Sequence, residues 1–285
     1  MARAISSPLL RIARSRNPVV RLAKVAAGSI LQRLDLEVPA RLKTGDVLFV
    51  DLANAVGRTI WLRGDYESEG PIKAIIESNL GRGDVFLDVG ANVGFFSLTA
   101  SRRVGPGGAV HAFEPVPRLA RLLRRTVDIN SLTNLTVVEA AVGASSGETT
   151  MAVMKDSAYS HVLEGAEAAA SDHGDLQVVP VRTVSLDEYV AEKVNGRPTV
   201  MKMDIEGAEV AALNGARYLL SAPNGPAVIC EIGEPHLARF NNQPHDVFDL
   251  FAGWGYEALD PETLKPIGVG DLDEHHYNVF FRKTR

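Results

Sequence analysis

A single cysteine, Cys230, stands among 285 residues, so no internal disulfide can form, nothing directs the chain to an oxidising compartment, and a cytoplasmic location is the expectation. Aromatic residues are scarce at 6%, and no stretch approaches the ~20 continuous apolar residues that a membrane-spanning helix needs. Internal repeats are also lacking. The body has no basic stripe, and the net charge is −5, which argues against nucleic acid as a partner because phosphates demand clustered positive charge. What is present is average for a globular chain, 46% apolar and 23% charged, with enough length to bury a sizeable core.

The charge is unevenly placed. Residues 1–34 hold seven Lys/Arg and no acid, which leaves 23 basic against 35 acidic residues for the rest. Arg11, Arg14, Arg21 and Lys24 fall on one helical face, although Pro8 and Pro18 interrupt the pattern. Residues 1–35 therefore read as a basic helical extension with three uses open: a peripheral membrane contact, an organelle-targeting peptide, or a solvated face. Residues 36–285 read as one further unit.

Within that unit the pattern predicts short strands over 46–50 and 58–62, then a helix over 72–80 opened by Pro71. Strands over 85–89, 109–113 and 135–142 alternate with helices over 95–103 and 116–130. An inserted strand pair, 149–154 with 176–183, flanks a Gly/Ala/Ser-rich stretch, residues 157–175, expected as a mobile loop. Ser157, Tyr159, Ser160 and His161 in that stretch are candidates for a lid. Ser185 and Glu188 stand in capping-box spacing, and strands over 199–203 and 227–232 flank a helix over 208–220. A helix over 245–254 and strands near 256–259 and 276–281 complete the chain. Strands alternating with helices mean an α/β fold with a mostly parallel sheet covered on both faces.

Three segments carry chemistry. In the first, Phe86-Leu87-Asp88-Val89-Gly90-Ala91-Asn92-Val93-Gly94, a buried strand delivers Asp88 into a glycine turn that opens a helix. Gly90 lets the backbone approach a ligand, and the helix amides favour an anionic group. Asn92 stands where the dinucleotide fingerprint requires its second glycine. In the second, Glu114 ends the next strand 24 residues beyond Gly90, where an acid binds ribose hydroxyls by accepting two hydrogen bonds. In the third, Met203-Asp204-Ile205-Glu206-Gly207-Ala208-Glu209, a strand again ends in acids at the sheet's ligand-binding edge. The same residues also suit a plain helix start, with Asp204 as its cap.

These segments, with Gly64-Asp65-Tyr66-Glu67, Phe113-Glu114-Pro115, Ala140-Ala141-Val142-Gly143, Thr183-Val184-Ser185-Leu186-Asp187, Lys202-Met203-Asp204 and Cys230-Glu231-Ile232, resemble the FkbM-type S-adenosylmethionine-dependent methyltransferases over roughly residues 64–232. The resemblance implies a class I methyltransferase fold, a Rossmann-like three-layer sandwich with a seven-stranded sheet whose last strand inserts antiparallel. It also implies S-adenosylmethionine as cofactor. Asp88, Gly90, Asn92 and Gly94 would surround its methionine part, Glu114 would hold the ribose, and Glu139 and Ala141 would lie near the adenine. Tyr66 and Glu67 would form part of a cofactor or substrate wall.

The expected reaction is O-methylation of a small molecule or a glycan. Asp204, Glu206, Glu231 and His236 all follow strand ends on the ligand edge. Asp204 is expected to orient the acceptor, with a divalent metal on Asp204 and Glu231 as one way of doing so, and His236 or an acid such as Glu206 to take the proton. The rivals are an NAD-type oxidoreductase, which Asn92 disfavours, and a cofactor-binding protein without catalysis. Asp271, Asp273, Glu274, His275 and His276 read as a charged turn, not a calcium loop, because the glycine and distal Glu are missing. Trp61 and Trp254 read as core or wall residues.

Overall fold

The computed structural model describes residues 36–154, 161–163, 176–272 and 277–284. The basic head, the lid candidates Ser157, Tyr159 and Ser160, the side chain of His161, and Asp273, Glu274, His275 and His276 lie outside the described residues.

Strand β1 (Glu37–Arg41) pairs antiparallel with β2 (Val47–Asp51). Helix α1 (Ala55–Arg63) follows, where the sequence pattern predicts a strand over 58–62. A five-residue apolar run suits either element, and the ends decide it. Asn54 accepts the Gly57 amide at 2.9 Å and so caps the start, while Gly64 closes the end at φ 66°. Ile60 and Trp61 are buried by this helix. After α2 (Gly70–Asn79), the alternation yields β3 (Val85–Val89), α3 (Phe95–Val104), β4 (Ala109–Phe113), α4 (Pro117–Ile129) and β5 (Leu135–Val138).

The strand expected over 135–142 is two strands. The Ala140 amide turns back to the Val138 carbonyl at 2.9 Å, and β6 (Ala141–Val142) leaves for a different sheet. There it joins β7 (Gly147–Met154), β8 (His161–Leu163) and β9 (Leu176–Val184) in the order β6-β9-β7-β8. The β7–β9 pair is the expected insert, whereas β8 is a strand inside the stretch expected as loop, held by its register against β7 from Thr150↔Leu163 to Ala152↔His161.

Helix α5 (Leu186–Lys193) starts after Ser185 without the expected capping box. Ser185 Oγ donates instead to the Gly215 carbonyl at 2.9 Å, and Glu188 accepts from Ser146. After β10 (Pro198–Met203), the helix expected over 208–220 breaks into α6 (Glu209–Asn214) and α7 (Arg217–Ser221). At the break the Gly215 carbonyl also takes the Asp187 amide at 2.8 Å, a bond that continued helix would have claimed. The chain ends with β11 (Ala227–Ile232), α8 (Glu234–Leu237), α9 (Pro244–Gly253), β12 (Tyr256–Leu259) and β13 (Tyr277–Lys283).

The main sheet runs β12-β13-β11-β10-β3-β4-β5, parallel throughout except for β13, which is antiparallel to both its neighbours. Adjacent residues of one strand feed opposite faces: Phe86 joins the layer of α2, α3 and α4, and Leu87 the layer of α5, α6 and α9. Strand order reverses between β10 and β3, which opens a crevice beyond their carboxyl ends. Among the described residues no helix is long and apolar enough to cross a membrane.

Candidate active site

A cavity of about 570 Å³ opens at that crevice, within the range that holds a cofactor-sized ligand. Its floor is the turn after β3. Gly90 lies at φ 84°, and a Cβ built there would stand 1.9 Å from the Asp204 carbonyl oxygen, so only glycine lets the β3 and β10 turns meet. The Gly90 and Ala91 amides both donate to the Phe113 carbonyl, at 3.0 and 2.9 Å.

Glu114, at the end of β4, fixes this turn from the side. Its Oε2 accepts the Asn92 amide at 2.8 Å and its Oε1 the Val116 amide at 2.9 Å. The carboxyl is buried, which pushes it up to about 7 despite these two bonds. A carboxylate offers about four lone-pair sites, so two stay available for a diol. Beyond Glu114 the lining turns apolar, through Val116, Leu119, Ala140, Ala141, Val142 and Met151. Helix α1 contributes Val56, Thr59 and Arg63.

The opposite end is acidic. Lys202 and Asp88 are register neighbours on β10 and β3, and the buried Lys202 Nζ lies 2.8 Å from Asp204 Oδ2. Burial alone would pull the Lys202 ammonium down, but Asp204 and Asp88 raise it above its usual range. Burial likewise opposes charge on Asp204, yet Lys202 and a hydrogen bond from Glu231 hold it down at about 2. The charge of Asp204, then burial, pushes Glu231 well up, so the pair shares one proton and Glu231 carries it. Tyr66 closes this end, raised to about 12 chiefly by burial. His236 Nδ1 stands 2.8 Å from Glu206 Oε2.

Gly90, Asn92, Glu114, Ala141, Asp204, Glu206, Glu231, His236 and Tyr66 thus line one cavity. Four expected contacts lie elsewhere. Glu67 faces away, paired with Lys43 Nζ at 2.5 Å. Asp88 is buried behind the turn, where Ser97 Oγ donates to it at 2.5 Å. Gly94 packs on Leu123 of α4, and Glu139 pairs with Arg124 at 2.7 Å on the outer face. All four are expected at the site from the family resemblance, and a position in a motif does not report which way a side chain leaves the backbone. Asp271 accepts the Gly268 amide at 2.8 Å, as in a charged turn. Arg63, Thr59 and Met151 have no sequence signal, because α1 reads as a strand and Met151 as an ordinary strand residue.

The burial of Glu114 and Glu209, both held near 7 chiefly by desolvation, has a measurable consequence. Between the usual 4.5 and about 7 the folded chain binds more protons than the unfolded one, so stability falls as pH rises through that window. Asp204, lowered to about 2, acts in the opposite sense but only below the window. Thermal unfolding of the ligand-free protein is therefore expected at a higher temperature at about pH 5.5 than at about pH 8. Equal or reversed melting temperatures would count against these buried, protonated carboxyls.

A parallel sheet of this order with an antiparallel penultimate position, and a crevice built from a glycine turn and a strand-end acid, is the class I methyltransferase architecture. Residues 88–258 match the model of the methyltransferase FkbM domain, and the chain belongs to that family. It is 27% identical over 162 residues to the methyltransferase sdnD of Sordaria araneosa, covering 48% of this chain and 62% of that protein. It is also 27% identical over 173 residues to the hexuronic acid methyltransferase AglP of Haloferax volcanii, covering 61% of this chain and 66% of that one. The match thus spans just under two thirds of each of these relatives. Among solved structures, an FkbM methyltransferase from Methylobacillus flagellatus is 18% identical with a TM-score of 0.42, over 93% of this chain and 60% of that one.

Proposed function

We propose that this chain transfers the methyl group of S-adenosylmethionine to a hydroxyl of a small molecule or glycan. The observation that carries the reading is the single cavity that joins a strand-end acid beside the glycine turn to a His–Glu pair at its far end. The residues suit the cofactor. Glu114 has acceptor sites for the ribose diol, the slot of Ala140, Ala141, Val142 and Met151 suits an aromatic base, and the acidic end suits a cation. When bound, the sulfonium supplies an electrophilic methyl group.

The chain's part is then alignment and proton removal. Asp204, kept ionised by Lys202, accepts a hydrogen bond from the acceptor and turns its hydroxyl toward the cofactor. His236, whose Nδ1 stands 2.8 Å from Glu206 Oε2, takes the hydroxyl proton as the oxygen–methyl bond forms. Oxygens of Asp204, Glu206 and Glu231 lie within 4.8 Å of one another and form a set that could hold a hard divalent cation. The Lys202 ammonium and the proton on Glu231 already offset that charge, so methyl transfer is expected to survive exhaustive chelation with EDTA. Loss of transfer that magnesium restores would instead assign the three acids to a cation.

The cofactor is tested by thermal shift. S-adenosylmethionine is expected to raise the melting temperature and NAD to leave it unchanged, since a ligand stabilises the state it binds. The reverse result would make the chain an NAD-type protein. Catalysis is tested by incubating a glycan and metabolite pool with isotopically labelled methyl donor. His236→Ala is expected to lower incorporation by roughly 10²–10⁴-fold while leaving cofactor binding intact. Near-normal incorporation would remove His236 from the chemistry.

A further inference from the structure

The cavity wall is uneven in charge. Four carboxyls line it, Glu114, Asp204, Glu206 and Glu231, and among its described lining residues Arg63 is the only lysine or arginine. Lys202 is buried and held by Asp204 at 2.8 Å, with Asp88 opposite it on β3, and is not part of that lining. A ligand with an anionic group therefore meets one permanent cation on this surface. Arg63 ends α1, whose residues Ala55, Val56, Thr59 and Arg63 recur at helical spacing and turn one face into the cavity. That helix is tied to the glycine turn at both ends. Before it, Asn54 Nδ2 donates to Asn92 Oδ1 at 3.4 Å. After it, the Tyr66 ring meets Phe95, the first residue of α3, edge-on with 5.9 Å between centroids. The ion pair that Arg63 makes is loose: Glu67 Oε2 stands 3.7 Å from its Nη1, and both side chains are half exposed. An exposed pair of this kind contributes little, so the guanidinium can leave it for a better-matched partner.

We propose that Arg63 receives the α-carboxylate of S-adenosylmethionine. The inference rests on the reading of that compound as the cofactor, and adds to it a residue of α1. The cofactor carries two cationic groups, sulfonium and ammonium, which suit the carboxyls of the wall, and one anionic group, which suits Arg63. A guanidinium matches a carboxylate with two parallel N–H donors, a fit that Glu67 at 3.7 Å does not exploit. The hydroxyl of an acceptor is uncharged and brings no anion to Arg63, whereas the cofactor always brings one. With the ribose on Glu114 and the base against Ala141 and Met151, the amino-acid end is left the space between the glycine turn and α1.

The test is titration calorimetry of the ligand-free full chain with two compounds, S-adenosylmethionine and its decarboxylated form. The second keeps the adenosine, the sulfonium and the amine and lacks only the carboxylate. Arg63→Gln is expected to bind S-adenosylmethionine roughly tenfold more weakly than the wild type does, the size of one charge-assisted contact partly screened by solvent. The same variant should bind the decarboxylated compound no more weakly than the wild type. Arg63→Lys, which keeps the charge without the fork, should fall between wild type and Arg63→Gln. Glu67→Gln, which removes the present partner of Arg63, should bind both compounds at least as tightly as the wild type. A merely structural role for Arg63 would weaken both ligands together. Equal weakening of the two in Arg63→Gln, or an unchanged affinity for S-adenosylmethionine, would overturn the proposal while the cofactor reading stands. No binding of S-adenosylmethionine by the wild type would reject the cofactor and this role with it, so the wild-type titration alone tells the two failures apart.

Discussion

Gly90→Ala should weaken cofactor binding and destabilise the fold together. The Cβ would stand 1.9 Å from the Asp204 carbonyl oxygen and 2.9 Å from its carbon, both backbone atoms that cannot swing aside. The residue would also have to hold φ 84°, outside the regions that alanine favours. One or both turns must retreat, and the Asn92 amide then loses its register with Glu114. The expected cost is roughly 3 kcal/mol or more of unfolding free energy, from overpacking plus strain. A displacement of about 1 Å in the turn is expected to weaken S-adenosylmethionine binding by roughly 100-fold. Calorimetry and urea denaturation read the two effects separately. A variant that binds within a few-fold of wild type would show that the contact between the turns does not set the cofactor floor.

Lys202→Met should be the most costly change at a site that never touches a ligand. Methionine keeps the stem and removes the ammonium that lies 2.8 Å from Asp204 and opposite Asp88. The buried Asp88 and the half-buried Asp204 then lose their counter-charge; removing one partner of a fully buried pair costs roughly 3–5 kcal/mol, and solvent at Asp204 reduces that figure here. The sign of the pH effect follows from Asp204. In the wild type its carboxyl is held at about 2, below its usual 3.8, so its contribution is present above about 4 and lost as pH falls through 2. Without Lys202 the largest influence that lowers Asp204 is gone, so the folded form of its carboxyl holds its proton more readily than in the wild type. The stability gap between wild type and variant is therefore expected to narrow as the solution is acidified from about pH 4 to about pH 2. A gap that is constant with pH would mean that the ion pair does not set the ionisation of Asp204.

The accuracy of the sequence reading follows element length and local chemistry. The strands of the parallel sheet are short apolar runs between turn residues, and β3, β4, β10 and β11 fall where the pattern predicts them. Residues 58–62 failed because their pattern suits both states, and the choice was made by Asn54 and Gly64 outside the run. Helix 208–220 failed because its break is enforced by partners distant in the chain, the Asp187 amide and the Ser185 hydroxyl. The split of 135–142 likewise depends on which sheet β6 joins, which no local pattern contains.

Site residues divide along the same line. Local order along the chain, a strand, then a glycine turn, then a helix, suffices to bring Gly90, Glu114, Asp204 and Glu231 to one edge, because a parallel sheet aligns the carboxyl ends of its strands. The direction in which each side chain leaves that edge is a matter of packing. Glu67 and Glu139 turned outward to Lys43 and Arg124, and the contribution of α1 to the cavity was hidden until that helix was placed.

The sequence by itself determined that acids and glycines meet at the open end of a parallel sheet, because the alternation of elements leaves one side on which strands can end. Tertiary structure alone decided which acid is ionised, which is protonated and which is turned toward His236. Those properties come from the distance of each carboxyl to Lys202, to backbone amides and to solvent, and such distances arise only when residues 90, 114, 204, 209, 231 and 236 are packed together.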